Sequence, residues 1–532
     1  MRICWVSLHE SPDFEAPRAL ASAGHAVSLL VRPSTKAPDF GASLLHLDDT
    51  GAEVARERGM QGAYELSRRL HRSILDSGEA FDYVEIPVEH GLGYVTVREQ
   101  HLLRTLGATA VGIRLGMPEV ERRAAASQLH LISASERQVC VLEDDSMRHA
   151  DGLIGRSEDV FASVRTRLGR SEATYRWTDA RQYVAAVEQL VRETRDLPDV
   201  RTAAGVTTDT LVSVIVPFYR EPIEVLSAAV QSALAQSHDA VEVLVVNDGS
   251  PLPEKDEILA RVSSLDSRVR VLHKPNGGLA TARNHAIDAA SGDYLLFLDA
   301  DNELRPEYAE TGLRAFARHR DLMALTPECR HYHARKGDGG LYRPLPYDHT
   351  LAIYRNVFGD AGSMFRTAAF REHGLRYDPD VDIYSDWAIW LDCARLGLRF
   401  EPMPRTLFDY RVHGDSMMST RAFDEHISIL ALLIERHAPS FTPEESRRVL
   451  TTLADGWGVG ACLATLAPIE AVEFSPGRFA RTIYGGGFTA RLLDRAGRAA
   501  ERSPLVAKLG RSIARSTLRM HRWRQRKRRG SE

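Results

Sequence analysis

Apolar and polar positions along this chain fall into short runs of strand character separated by stretches of helical period. RICWVSL at 2–8, a helix-like stretch around Ala16 to Ala23, and HAVSLLV after Gly24 make one β-α-β unit. DYVEIPV near 82–88, TAVGIRL near 109–115, a helical stretch around Glu136 to His149, and DGLIGRS leading into EDVFASVRTRLG continue the alternation. Residues 1–198 therefore read as a Rossmann-like α/β domain. No Gly-x-Gly-x-x-Gly follows the first strand, which disfavours a dinucleotide site, and His90-Gly-Leu-Gly93 alone is too short a signal for a phosphate loop. DLPDVRTAAGVTTDT is polar and aperiodic, so residues 199–210 are expected to be a linker.

Beyond the linker the pattern restarts with LVSVIVPF (211–218), β-branched and apolar enough to be buried on both faces. VEVLVV (241–246), VRVLHK (269–274) and YLLFLD (294–299) follow, each separated from the last by a helical stretch. Four such alternations predict a mainly parallel sheet with right-handed crossovers over 211–420. Parallel sheets place their active groups beyond the carboxyl ends of strands. Those ends carry Pro217 to Glu221, Asn247-Asp248-Gly249-Ser250 and Asp299-Ala300-Asp301-Asn302, so acidic groups converge on one edge. From 421 to 506 the pattern is helical, and 507–532 is a basic tail.

Composition changes this picture in three ways. At 532 residues the chain is too long for one domain, and its apolar and charged fractions, 44% and 26%, are those of an ordinary globular protein. The net charge of −4 hides an acidic body and a tail, Lys508 to Arg529, holding ten Lys or Arg and no acid. Five cysteines, odd in number and never in Cys-x-x-Cys spacing, fit a reducing compartment and no zinc or redox site. The opening MRICWVSLHESPDFE lacks the apolar core of a signal peptide, and Val449 to Ile469 is interrupted by Asp455, glycines and a proline. A cytoplasmic protein without a membrane span is expected.

Asp299 and Asp301 are two residues apart, and strand alternation would aim both carboxylates the same way if the pleat persists. Such a pair suits a divalent cation bridging to a diphosphate, although Asp-x-Asp is also common in solvated loops. Asp248 suits an acceptor for a nucleobase N–H, or a simple turn. Asn276-Gly277-Gly278 feeds a helix whose free N–H groups favour an anion, with Arg283 able to add a charge-assisted contact. Asp386 begins the helix DWAIWLDCARLG, as a base or as a cap.

Taken in order, VSVIVPFYRE, VEVLVVNDGS, KPNGGLATARNHAI, SGDYLLFLDADN, YSDWAIWL and DYRVHGDS resemble glycosyltransferase family 2, inverting nucleotide-sugar enzymes of the GT-A fold, over about 211–416. The resemblance implies that Pro217, Tyr219 and Glu221 enclose the nucleobase and that Asp248 contacts it. It places Gly278, Arg283 and Asp299 about the rest of the donor, Asp301 and His413 on a divalent metal (Mn²⁺ or Mg²⁺), and Asp386 as general base. Gly362 to Arg366 resembles the floor of the acceptor site. Arg220, Ala286, Asn302 and Ser385 depart from the family's usual Asn, Gly, Asp and Glu.

The resemblance further implies a nucleotide-sugar donor, a UDP-sugar favoured, and a glycan or lipid-linked acceptor in cell-surface polysaccharide or glycoconjugate synthesis. Residues 1–198 are similar to the amino-terminal half of GT-B glycosyltransferases, through MRICWVSL, LASAGHAVSLLV and LEDDSMRHADGLIGRSEDVFASVRTRLG. The tail, which as a helix would carry Arg511, Arg515, Arg519, Arg522 and Arg526 along one side, suits adhesion to an anionic membrane at its inner face, the alternative being a solvated, disordered tail. The acidic body argues against nucleic acid. A catalytically silent scaffold or glycan-binding protein is the alternative reading, motivated by Ser385 and Asn302. Sugar nucleotidyl transfer is disfavoured because PFYREP has no glycine.

Overall fold

The computed structural model describes residues 1–9, 13–47 (apart from 34, 37 and 39), 60–126, 134–195, 207–333, 337–352, 356–412 (apart from 382), and 432, 433, 436 and 437. The expected helical region at 421–506, all but those last four residues, and the basic tail lie outside them. The chain divides into two compact units, Met1–Gly205 with Ala317–His319, and Val206–Phe316 with Arg320–Glu532.

The first unit is built on seven strands: β1 (Arg2–Ser7), β2 (Ala26–Val31), β3 (Ser43–His46), β4 (Tyr83–Pro87), β5 (Ala110–Leu115), β6 (Gly152–Gly155) and β7 (Thr174–Arg176). They pair in the order β3-β2-β1-β4-β5-β6-β7, every pair parallel. Both faces are covered, which is why these strands read as continuous apolar runs. Cys4 and Val6 pack into a core with Val84, Ile86 and Ile113, while Ile3 and Trp5 pack into another with Leu29, Tyr83 and Tyr183. The His90-Gly-Leu-Gly93 segment is a packing device. Gly91 has φ +64°, and a Cβ there would lie 2.4 Å from Cβ of Leu142.

The second unit holds β8 (Val212–Phe218), β9 (Val241–Asp248), β10 (Val269–Lys274), β11 (Tyr294–Phe297), β12 (Glu303–Leu304), β13 (Leu322–His333), β14 (Gly337–Tyr342), β15 (Met364–Arg366) and β16 (Arg399–Val412). Along the order β10-β9-β8-β11-β15-β13-β16-β12, the first four strands are parallel. The sheet then turns mixed: β15 runs antiparallel to β11 and β13, β16 parallel to β13, and β14 antiparallel on β13. This is the α/β class, with its acids at the carboxyl edge of the parallel half.

Strand ends differ from the sequence expectation in an informative way. Pro217 lies within β8, opposite Val246 of β9, while on the other side β11 stops at Phe297 opposite Ile215. The proline's missing N–H therefore interrupts no bond to β11. Asp248 is still in β9, opposite Lys274. Conversely, β11 ends two residues before Asp299, and the Asn302 N–H donates to the Asp299 carbonyl at 3.0 Å. Asp299 and Asp301 thus sit on a turn, so pleat alternation does not set their direction.

Candidate functional site

At the end of β9, Asp248 is only 4% exposed, and its carboxylate is surrounded by donors. Gly277 N–H donates to Oδ1 at 3.0 Å, Gly278 N–H to Oδ2 at 2.8 Å, and the Lys274 ammonium ion-pairs with it. Asn276 Nδ2 donates to the Asp248 carbonyl at 2.9 Å. Asp248 thereby shapes the glycine turn ahead of the helix Leu279–Ala289. Gly278 has φ +89°, and no side chain caps this helix, so its first-turn N–H groups keep their affinity for an anion. Glu221, on the loop after β8, turns back on that loop: its Oε2 accepts from Tyr219 N–H at 2.9 Å and Arg220 N–H at 3.0 Å. The Arg220 guanidinium lies 5.0 Å from the centre of the half-buried Tyr219 ring.

Arg283 leaves that helix as a fully buried cation. Its Nη2 donates to Asp299 Oδ1 at 2.6 Å, its Nη1 to Ser385 Oγ at 3.0 Å, and its guanidinium faces the Tyr377 ring at 5.0 Å. The charge of Arg283 is thus balanced by Asp299, with Ser385 supplying a neutral acceptor where the family's usual residue is Glu. Asn302, 2% exposed, accepts from Arg411 N–H at 3.0 Å. Arg411 Nε donates to the Asp301 carbonyl at 3.2 Å. Asn302 therefore fastens the Asp299–Asp301 turn to β16 through a neutral amide, adding no further anion.

Two more carboxylates close the site. Asp386, partly buried in the first turn of the helix Ser385–Arg395, accepts from Asn356 Nδ2 at 2.7 Å. Burial pushes its carboxyl up to about 6, opposed by the Trp387 N–H and Arg283 and reinforced by Asp299. Asp360, in the turn before β15, is pushed up to about 7, first by burial and then by Asp386 and Asp299. Its Oδ1 accepts from Gly362 N–H at 3.2 Å. Tyr410 on β16 is held well above the ordinary phenol range by burial and by the charges of Asp360, Asp299, Asp301 and Asp386 together. Tyr384, which precedes Asp386's helix, has φ +61°, a sparsely populated conformation for a tyrosine.

The structure thus gathers Asp299, Asp301 and Asp386 about Tyr410, with Arg283 bound to Asp299. Asp248 and Gly278 meet in the glycine turn, and Pro217, Tyr219 and Glu221 lie at the end of β8. His413 lies outside the described residues. Among the described residues no three His, Cys, Asp or Glu side chains form a ligand cluster. The donor set still fits a hard divalent cation, because Asp301 is a partly exposed carboxylate on the same turn as Asp299. One or two carboxylates plus substrate phosphates are the usual Mg²⁺ set.

Sequence reasoning missed Asn356, Asp360, Lys274 and Tyr410. Tyr410 and Lys274 stood within quoted motifs, DYRVHGDS and KPNGGLATARNHAI, without being singled out. Lys274 could have been found as the cation opposite Asp248 in parallel register, whereas Asn356 and Asp360 lie in a loop without period.

In the α/β class the carboxyl edge of the parallel strands is where ligands bind, and here that edge gathers acids beside a glycine turn. Within that class the chain carries a glycosyltransferase family 2 domain, since residues 213–371 match the Glycosyl transferase family 2 model. It is similar to the uncharacterized glycosyltransferase EpsJ of Bacillus subtilis (strain 168), 28% identical over 234 residues, 41% of this chain and 66% of EpsJ. The "putative teichuronic acid biosynthesis glycosyltransferase TuaG" of the same strain is 28% identical over 217 residues, 40% of this chain and 82% of TuaG. Chondroitin synthase of Pasteurella multocida (strain Pm70) is 37% identical over 208 residues, 39% of this chain but only 21% of that enzyme.

Proposed function

We propose that the second unit transfers a sugar from a nucleotide-diphosphate sugar, a UDP-sugar in the first instance, to a hydroxyl of a glycan or lipid-linked acceptor. The transfer inverts the anomeric centre, depends on a divalent cation (Mn²⁺ or Mg²⁺), and serves cell-surface polysaccharide or glycoconjugate synthesis. The observation that carries this reading is the buried Arg283, which donates to Asp299 Oδ1 at 2.6 Å and to Ser385 Oγ at 3.0 Å and so joins the turn of Asp299 and Asp301 to the helix of Asp386 at the carboxyl edge of the parallel strands. The family match and relatives named for teichuronic acid and chondroitin synthesis support it.

In this reading Asp386 takes the proton of the acceptor hydroxyl as the acceptor oxygen bonds to the anomeric carbon. The anomeric C–O bond breaks, and its electron pair leaves with the diphosphate. A carboxyl titrating near 6 is mostly ionised at neutral pH, as a base must be. Gly278 and the first turn of its helix receive the diphosphate, Arg283 fixes Asp299 toward the donor, and Asp248 with Pro217, Tyr219 and Glu221 forms the nucleobase side. Asp301, with His413, would hold the metal, whose positive charge when bound would stabilise the departing diphosphate. We further place the protein in the cytoplasm, with the tail adhering to anionic lipid. No helix among the described residues is long and apolar enough to cross a membrane. Binding to anionic vesicles that survives truncation at Lys508 would overturn the tail's role.

The test is a panel of UDP-glucose, UDP-N-acetylglucosamine and UDP-glucuronic acid, scored for binding and slow hydrolysis with Mn²⁺ or Mg²⁺. One donor should bind in a metal-dependent manner, lose that binding in Asp301→Ala, and stay bound but intact in Asp386→Asn. Failure of the wild type to bind any nucleotide sugar with either metal would return the silent-scaffold reading.

A further inference from the structure

Asp386 is held from outside its own helix by a residue 30 positions earlier in the chain. Asn356 Nδ2 donates to Asp386 Oδ2 at 2.7 Å and to the Gly359 carbonyl at 2.8 Å, while its Oδ1 accepts from Phe358 N–H at 3.2 Å. Reversing the amide would set oxygen against two oxygens and NH₂ against an N–H, so the network defines its orientation. The turn it belongs to is pinned at two further points. Trp390 Nε1 also donates to the Gly359 carbonyl, at 3.3 Å, and a Cβ on Gly359 would lie 2.1 Å from Oγ1 of the buried Thr326. The turn thus presents one N–H to one oxygen of Asp386.

We propose that Asn356 is a positioning residue for Asp386: it occupies Oδ2, leaves Oδ1 to face the acceptor hydroxyl, and holds the carboxylate in its ionised form. The inference rests on the reading of Asp386 as the base. It gives the neutral amide a role that no carboxylate could fill, because the surroundings of Asp386 are already crowded with charge. Asp299 faces it from the turn after β11, Asp360 from the turn that also carries Asn356, Arg283 from the helix Leu279–Ala289, and the Tyr377 and Tyr410 phenols from the preceding loop and β16. Among these charged and phenolic groups Arg283 alone favours the anion, and it is shared with Asp299, so the rest of the support comes from uncharged donors, the Trp387 N–H and the Asn356 amide. A donated N–H favours the charged carboxylate without adding charge of its own.

The experiment follows pH dependence in the full chain, using the UDP-sugar of the panel that the wild type hydrolyses fastest, with Mn²⁺. Asn356→Ala should lower kcat about tenfold and move the acid limb of kcat/KM upward by roughly half a pH unit, with donor affinity by calorimetry unchanged. Asn356→Asp keeps the shape and the acceptor for Phe358 N–H but sets an oxygen against Asp386 Oδ2 and the Gly359 carbonyl; should it fail to fold, Asn356→Ala, which removes the donor and opposes no oxygen, carries the test. By setting an anion against Asp386, Asn356→Asp should move the limb upward by about one unit or more. Thermal melting of both variants separates loss of fold from loss of alignment. Wild-type kcat and an unmoved acid limb in Asn356→Asp, with Asp386→Asn inactive, would overturn the proposal while leaving the base in place. Wild-type activity in Asp386→Asn would remove the base reading and this inference with it.

Discussion

Asp386 and Asp360 are the same side chain in one buried corner, and their difference lies in what each is given. Burial raises both carboxyls; Asp386, given the Trp387 N–H and the field of Arg283, is pushed up to about 6, whereas Asp360, given the Gly362 N–H and the same Arg283 against the repulsion of Asp386 and Asp299, is pushed up to about 7. The free enzyme's kcat/KM should accordingly fall about tenfold per pH unit below about 6, and a profile flat to pH 5 would exclude Asp386 as the titrating base. For Asp360 the consequence is one of stability. Its folded-state value lies above the ordinary 3.8, so the folded form holds its proton more tightly. That contribution is complete below about pH 4 and is lost as pH rises through about 7. Asp360→Asn, which keeps an acceptor for Gly362 N–H, should therefore be more stable than wild type at pH 8, by roughly 1–3 kcal/mol after allowance for partial exposure. At pH 4 the gain should vanish. Paired thermal melts at the two pH values decide it.

At the scale of elements, the site depends on two strand ends meeting without side chains between them. Gly249 follows Asp248 with φ +61°, and a Cβ there would lie 2.6 Å from the Asn276 backbone nitrogen. Gly249→Ala therefore adds roughly 1 kcal/mol of left-handed strain and also pushes the glycine turn away from Asp248. Donor affinity should fall at least about tenfold by calorimetry. Gly397, with φ +69° and nothing near its missing Cβ, is the control: alanine there should cost a similar strain and leave donor affinity unchanged. Much of this was legible in the sequence, because a strand buried on both faces writes itself as an apolar run and glycines mark the turns. Residues 211–218 and 241–246 carried that signal, and so did the acids that follow them. The lengths were less legible, since Pro217 reads as a breaker although only one neighbouring strand reaches it, and Asp299 reads as strand although the ladder stops at Phe297. Asn356 and Asp360 left no signal. Their loop has no period, and their role exists only once β15 and the helix Ser385–Arg395 bring distant segments together.

At the scale of the whole molecule, the two units each possess a closed α/β core, and only the second carries the acids of the proposed reaction. In the first, the carboxylate of the central strand β4 is used differently. Glu85, fully buried in β4, accepts from Trp5 Nε1 at 3.0 Å, Tyr83 OH at 3.1 Å, Tyr183 OH at 2.7 Å and Arg114 Nη1 at 2.9 Å. These donors come from β1, β4, β5 and the helix Ala180–Arg195, so one side chain joins the middle of the sheet to a layer covering it. Four donors on one carboxylate explain an acid where the flanking Val84 and Ile86 are apolar, and they assign it to architecture rather than chemistry. Glu85→Ala would leave the Arg114 charge and two phenols without their acceptor, a loss of about 3–5 kcal/mol. Because Glu85 and all its partners lie in the first unit, calorimetric unfolding of Glu85→Ala should lower one transition and leave the other in place, with donor binding retained. A single transition moving as one, with donor binding lost alongside, would instead show that the second unit depends on the first for its fold.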